Sequence, residues 1–318
     1  NMIMHGDGHV GVYLHDGLLN VGGVYDNRFD IVLINPPFGA HVEKDVRITR
    51  SDIPSHSEKK LFQQIYGEEY INQVFLPINN YACAIDKDGN SGKRILDLYS
   101  INSNNTEILF IERCINLLKP GKRAGLVLPE GILNNPALKR VRDFIEKRAR
   151  ILNITSIPAN VFLSSGANIK PSLVFIEKRT KGENPELDYS LSVTQVSDAG
   201  ISSTGLPSEN KELPIAAKEV SSWLAGKTFA NMLFTKIIPR SEMVDWNIKP
   251  IFDVSKINYN PAYKKVFLKE VLSINKNLIT VDSNREYKRL TVRLFNKGVS
   301  IRDVVIGEKI GTKRQTRV

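Results

Sequence analysis

The chain of 318 residues has only two cysteines, Cys83 and Cys114, and they form no C-x-x-C pair. That usage fits a reducing cytoplasm and speaks against a thiolate zinc site. No apolar run approaches the roughly 18 residues of a membrane span, and the amino terminus has no secretory pattern. Ser-His-Asp sets, nucleophile elbows and a phosphate-cradling G-x-x-x-x-G-K-S/T are absent as well. His5, His9 and His15 have no carboxylate or cysteine companion at a metal-binding spacing, so no metal is expected. Gly6, Gly8 and Gly11 fit G-x-G-x-x-G but lead into a strand instead of joining strand to helix, which rules out a dinucleotide reading. The run from Asp86 to Gly92 resembles a calcium loop, yet its glycine falls one position late and Asp97 stands where a bidentate glutamate belongs. A polar turn is expected there.

What is present begins with charge. The net charge is +10, and from Lys264 onward fourteen basic side chains face five acidic ones, a net of +9. Such asymmetry points to a polyanion, most simply nucleic acid; the plain alternative is a solvated basic tail. At 42% hydrophobic residues the chain can bury one large core or two smaller ones.

The pattern of elements reads as α/β. His9–Leu14 is expected to be a short strand. Ile31–Ile34 reads as a strand buried on both faces. A long polar excursion follows, with helical stretches at Ser57–Tyr66 and Tyr70–Tyr81. Thr106–Leu118 has helical spacing with Thr106 as its cap, and Ala124–Leu128 is a buried strand. Pro136–Ala149 is a helix, Ile151–Ile157 a strand, and Ser172–Glu177 a strand again. Alternation of this kind indicates βαβ units in a mostly parallel sheet. Tyr189–Val196 reads as an edge strand and Pro214–Phe234 as a helix broken at Gly226. Strand alternation returns over Arg285–Val305. The expected domains are 1–196, catalytic; 197–262, a linker and helical segment; and 263–318, a smaller basic α+β segment.

The organising feature is the turn Asn35-Pro36-Pro37-Phe38 at the carboxyl end of the Ile31–Ile34 strand. Two prolines hold it extended and rigid, at the end of a strand where open α/β sheets bind ligands. Asn35 is a poor general base, so proton-relay hydrolysis does not centre on it. Its side-chain oxygen and the Pro36 carbonyl can each accept one hydrogen of an exocyclic amine. Phe38 can lie against the planar base that carries the amine. Two acceptors favour a pyramidal nitrogen with more charge, an effect strongest in the transition state. Asp16, just beyond the first strand, either accepts hydrogen bonds from a nucleotide-like ligand or starts a turn with Gly17.

Asp30-x-x-x-x-Asn35-Pro36-Pro37-Phe38 resembles the catalytic motif of the amino-group DNA methyltransferases. With Gly39 it is similar to the modification subunits of type I restriction-modification systems. The flanking runs follow in the family's order: Asn1-Met2-x-Met4-His5-Gly6, His15-Asp16-Gly17-Leu18, Arg123 to Gly131, and Phe162 to Leu173. The resemblance covers roughly residues 1–178. It implies a Rossmann-like methyltransferase sheet, S-adenosylmethionine as methyl donor and adenine N6 of double-stranded DNA as acceptor. It also implies Asn35, Pro36, Pro37 and Phe38 as the catalytic set, and Asp16 and Asn35 as contacts for the methyl donor. Phe162 would join Phe38 on a flipped base, with Lys170 near phosphate. Specificity or restriction subunits are the partners it implies.

Tyr287 to Leu294, Gly298 to Asp303 and Thr312 to Gln315 resemble the start of a target-recognition domain of type I specificity subunits. The family's Phe-x-Gly-x-Gly loop, which bounds the methionine end of the cofactor, does not occur in these residues. The chain is therefore expected to be cut at both ends, with its sheet incomplete at the amino terminus. The remaining alternatives are methyl transfer to an RNA amine or a protein glutamine amide, and a non-catalytic DNA-binding or assembly fragment.

Overall fold

The computed structural model describes residues 12–166, 169–202, 205–209, 212–227, 232–252, 278–292, 299–310 and 314–316. The run before His9 and the first half of His9–Leu14 lie outside them, and Val12–Leu14 form no strand. By contact the chain divides into two units, Asn1–Asp253 and Val254–Val318.

The first unit starts with β1 (Phe29–Ile34). Helix α1 (His56–Tyr70) follows, opened by a capping box between Ser55 and Glu58. A π turn joins it to α2 (Leu76–Cys83). Next come α3 (Thr106–Leu117), β2 (Leu118–Pro129), α4 (Glu130–Asn134), α5 (Lys139–Arg148), β3 (Ala149–Ser156) and β4 (Pro171–Lys178). The unit ends with β5 (Ser190–Gln195), α6 (Glu212–Leu224), β6 (Thr235–Pro239) and α7 (Lys249–Phe252). The six strands form one sheet in the order β1-β2-β4-β3-β5-β6. Pairing is parallel for β1–β2 and β3–β5 and antiparallel for β2–β4, β3–β4 and β5–β6. Four strands thus share one direction, with β4 and β6 reversed: a mostly parallel α/β sheet.

One face of the sheet carries the main core. Ile108, Leu109, Ile111, Cys114 and Ile115 of α3 and Val141 and Ile145 of α5 are buried there with Leu126, Leu128, Ile151, Val174 and Ile176. Each such aliphatic side chain contributes on the order of 1.5–3 kcal/mol through burial. On the other face α6 packs against β5 and β6. Asn153 Nδ2 donates there to Ser192 Oγ at 2.8 Å, while Thr155 Oγ1 donates to Asn153 Oδ1 at 2.7 Å. Buried polar groups in this layer therefore have partners, as their desolvation demands.

Four expectations change. β1 is not buried on both faces: it pairs only with β2 among the described residues, and Ile31 and Leu33 are 71% and 78% exposed. Val32 and Ile34 pack against the core, while Ile31 and Leu33 point to the opposite, open side of β1. β5 is internal, because β6, which starts just beyond the stretch read as helix and was assigned no strand, pairs along it. Asn105, not Thr106, takes the N-cap position of α3, and the Thr106 N–H donates to Ala40 O at 3.0 Å. The segment 197–262, read as linker and helix, contributes α6 and β6 to the first unit.

The second unit, described by itself, contains β7 (Leu278–Thr280), β8 (Glu286–Val292), β9 (Val299–Ile306) and β10 (Arg314–Thr316). β8 and β9 form an antiparallel hairpin, and β7 pairs antiparallel with β10. Arg289 binds Asp303 across the hairpin through two donors, at 2.6 and 2.5 Å. Of the stretches resembling a recognition domain, residues 293–298, Thr312 and Lys313 lie outside the described residues.

Candidate active site

The carboxyl ends of β1, β2 and β3 and the start of the reversed β4 all meet one rim of the sheet. At the end of β1, Asn35 is exposed, Pro36 buried, Pro37 exposed and Phe38 half-buried. Gly39 turns the chain with φ of +70°, a conformation costly for a side chain with Cβ. The chain then docks on α3: besides the Thr106 bond, Val42 N–H donates to Asn104 O at 2.8 Å. Backbone bonds to a packed helix thus fix the exit of the proline turn.

Phe162 comes from a 3-10 turn, Ala159–Ser165, between β3 and β4. Asn160 ties that turn down by donating to the carbonyls of Ile201 and Ser202. The rings of Phe38 and Phe162 lie 6.2 Å apart at 81°, edge to face. Residues separated by more than a hundred positions are thereby brought together at one strand end.

Lys170 sits in an ion-pair cluster on the same rim. Its ammonium lies 3.6 Å from Glu130 Oε1, which Lys249 also holds at 2.9 Å. Lys170 O accepts from Glu130 N–H at 2.9 Å, so the two loops are linked through backbone as well.

Asp16 uses one oxygen locally, accepting from Leu18 N–H at 2.8 Å, and its residue remains exposed. The turn expected with Gly17 therefore forms, and the side chain still faces solvent. Arg113 of α3 braces this loop from beneath. It donates to Gly17 O at 3.2 Å, Leu19 O at 2.7 Å, Asn20 Oδ1 at 2.5 Å and Asp26 Oδ1 at 3.0 Å. Asp30, at the other end of β1, is held by Lys119 at 3.0 Å and Lys122 at 3.1 Å, and their hydrogen bonds lower its pKa.

Beneath Asn35 an apolar recess of about 410 Å³ opens on the uncovered face, lined by Leu33, Gly125, Val127, Leu173 and Phe175 among others. Gly125 makes it possible: a Cβ there would stand 3.0 Å from Leu33 and 3.3 Å from Phe175.

Some site features escaped the sequence reading. Glu107, Glu112 and Arg113 were not singled out in a helix read from its apolar spacing, yet all three are buried. A polar stripe looks the same on a helix facing water and on one covered by a polar loop. Lys249 lay in a segment read as linker. Among the described residues no cluster of histidine, cysteine and carboxylate side chains could hold a metal, and no helix is long and apolar enough to cross a membrane.

No curated protein sequence matches this chain significantly. Several solved structures resemble it. A chain from a type I restriction-modification complex is 23% identical with a TM-score of 0.49, covering 76% of this chain and 41% of that one. The methyltransferase subunit of a type I system from Streptococcus thermophilus is 18% identical with a TM-score of 0.47, covering 78% and 43%. The M protein of the type I restriction enzyme EcoKI is 19% identical with a TM-score of 0.30, covering 53% and 25%. This chain therefore spans less than half of each. The profile of the family described as N-6 DNA Methylase matches residues 79–199. Over residues 79–199, therefore, the chain is similar to the N-6 DNA methylases.

Proposed function

We propose that this chain is the catalytic part of an adenine-N6 DNA methyltransferase belonging to a restriction-modification enzyme. The supporting observation is the meeting of Phe38 and Phe162 beside Asn35 at the end of β1. An exposed amide, a carbonyl fixed by proline and two aromatic rings form a site for a planar base bearing an amine. No nucleophile or general base is needed there.

In this reading a base extruded from duplex DNA lies on Phe38 once Phe162 swings out of its edge contact. Stacking offsets part of the unpairing energy, at ~1–3 kcal/mol per base. Asn35 Oδ1 and Pro36 O accept the two amine hydrogens, which draws the nitrogen lone pair out of conjugation with the ring. S-adenosylmethionine, when bound, would supply the methyl group as an electrophile: the amine nitrogen bonds to that carbon as the carbon–sulfur bond breaks, S-adenosylhomocysteine leaves, and one amine proton is lost to solvent. The residues near its expected place suit it: the Asp16 carboxylate is open to solvent, and His15 Nδ1 is buried with no partner. A ligand rich in N–H and O–H groups satisfies both. Asn35 lies where the methyl donor and the base meet. Lys170 leaves Glu130 for a DNA phosphate. The family description names DNA, which ranks DNA ahead of an RNA amine or a glutamine amide as acceptor.

The test is transfer of labelled methyl to DNA by the full parent protein. Asn35→Ala is expected to reduce the rate about 10²–10³-fold, the effect of removing one preorganised hydrogen-bonding group from a transition state. Transfer that survives this substitution unchanged sinks the mechanism.

A further inference from the structure

Glu107 stands in the first turn of α3, is 7% exposed, and leaves its Oε2 buried without a hydrogen-bond partner. Its own helix shows how unusual that is. Glu112, equally buried, accepts from Ser100 N–H at 2.9 Å, Ser100 Oγ at 2.8 Å and Ile101 N–H at 2.8 Å. Arg113, one residue on, uses its guanidinium on the loop before β1. Arg142, Arg150 and Asn160 each leave one atom unpaired but bond through others. A carboxylate taken from water with no compensating donor is destabilising, and a group kept in that state is commonly completed by a ligand.

Its position says which ligand. α3 runs from the active rim down to the start of β2, so its first turn lies at the rim. The preceding residue, Thr106, is bonded to Ala40, five positions beyond Asn35, and Asn105 bridges to His41. Phe110, one turn along from Glu107, packs where a Cβ on Gly17 would be 3.0 Å away. The first turn of α3, which carries Glu107, thus lies between the segment leaving the Asn-Pro-Pro-Phe turn and the loop bearing His15 and Asp16. We propose that Glu107 Oε2 accepts a hydrogen bond from an N–H or O–H group of bound S-adenosylmethionine, whose net positive charge a carboxylate without a cation complements. Glu107 is a binding residue here and does not touch the reacting methyl group. The inference rests on the methyltransferase reading above.

Titration calorimetry of the full parent protein with S-adenosylmethionine, S-adenosylhomocysteine and adenosine tests it, alongside thermal unfolding without ligand. Glu107→Gln keeps the shape and removes the charge; Glu107→Leu removes the acceptor. The expected losses in affinity for S-adenosylmethionine are about 10-fold for Gln and about 100-fold for Leu, the range of a hydrogen bond to a charged group. Ligand-free melting temperatures should stay level or rise, because an unpaired buried charge has gone. A parallel loss for adenosine places the donor in the nucleoside half, and an unchanged adenosine affinity places it in the amino-acid half; either supports the inference. Wild-type affinity in both variants overturns it, and so does a fall in melting temperature with no loss of affinity. If the unsubstituted protein binds none of the three ligands, the methyltransferase reading falls, and this inference with it.

Discussion

Arg113 does more for the site than any side chain that would touch a substrate. It is 4% exposed, and its donors hold the loop from Gly17 to Asp26 that leads into β1. Desolvation is the largest influence on both partners, lowering the pKa of Arg113 and raising that of Asp26, and their mutual attraction opposes it. Arg113→Met keeps much of the volume and leaves two carbonyls and Asp26 without their donor. The expected cost is about 3–5 kcal/mol, the range for breaking a buried pair from one side, read by denaturant unfolding. Cys114, on the same helix, gives a contrasting case. Burial pushes its thiol up to about 12, while Cys83 is exposed. A thiol reagent near neutral pH should label the native protein once, at Cys83, and twice only after unfolding. Rapid native labelling at Cys114 contradicts the packing described for α3.

Single strands and turns show what could be read in advance. The Asn-Pro-Pro-Phe turn was legible because prolines fix local geometry without help from the rest of the chain. The exposure of β1 was not, since an unbroken apolar run looks alike whether one face or both are covered. β5 was misplaced at the edge because β6 is short and went unassigned just after the stretch read as helix. Glu107 needed tertiary structure, because burial is a property of the assembled rim, whereas Phe162 was set beside Phe38 by the family resemblance and by no local signal. Gly125 illustrates the same limit: its role is to let Leu33 and Phe175 approach across β2. Gly125→Val should cost about 1–3 kcal/mol through overpacking, measured as a lower melting temperature. The Asp86 turn responds to acid instead. Backbone and side-chain hydrogen bonds from Asn90, then one from Arg47, hold the Asp86 carboxyl at about 2 against a usual 3.8. A depressed folded-state pKa means that its stabilising contribution is present above pH 3.8 and lost as pH falls toward 2. Amide exchange at Asp88 and Asn90, whose N–H groups bond Asp86 Oδ1, should accelerate across that window relative to core amides. Unchanged protection ratios contradict that turn.

Across the whole molecule, the way the chain leaves its first unit bears on the proposed binding of DNA. The segment after β6 is pinned to the helices beside the rim. Trp246 N–H donates to Leu133 O at 3.2 Å, its indole N–H reaches Glu146 at 2.5 Å, and Arg142 meets Asp245 at 3.2 Å. α7 then ends with Lys249 on Glu130, the carboxylate that Lys170 also approaches. The first unit therefore closes at the rim bearing Asn35 and Phe38, and the basic residues 264–318 follow from that point in the chain. Half-exposed ion pairs such as Lys249–Glu130 contribute only ~0–1 kcal/mol, so a phosphate can replace Glu130 at little cost. On the proposed function, DNA affinity of the full parent protein should fall linearly in a log–log plot against salt. Each lysine that neutralises a phosphate adds about 0.9 to the slope. The double substitution Lys170→Ala with Lys249→Ala should reduce the slope by about 2 and weaken binding alike for all sequences. Glu130→Gln, which frees both lysines, should tighten binding while leaving the slope near its original value. An unchanged slope in the double variant would show that these lysines serve Glu130 alone, leaving the charge that meets DNA to be sought elsewhere in the chain.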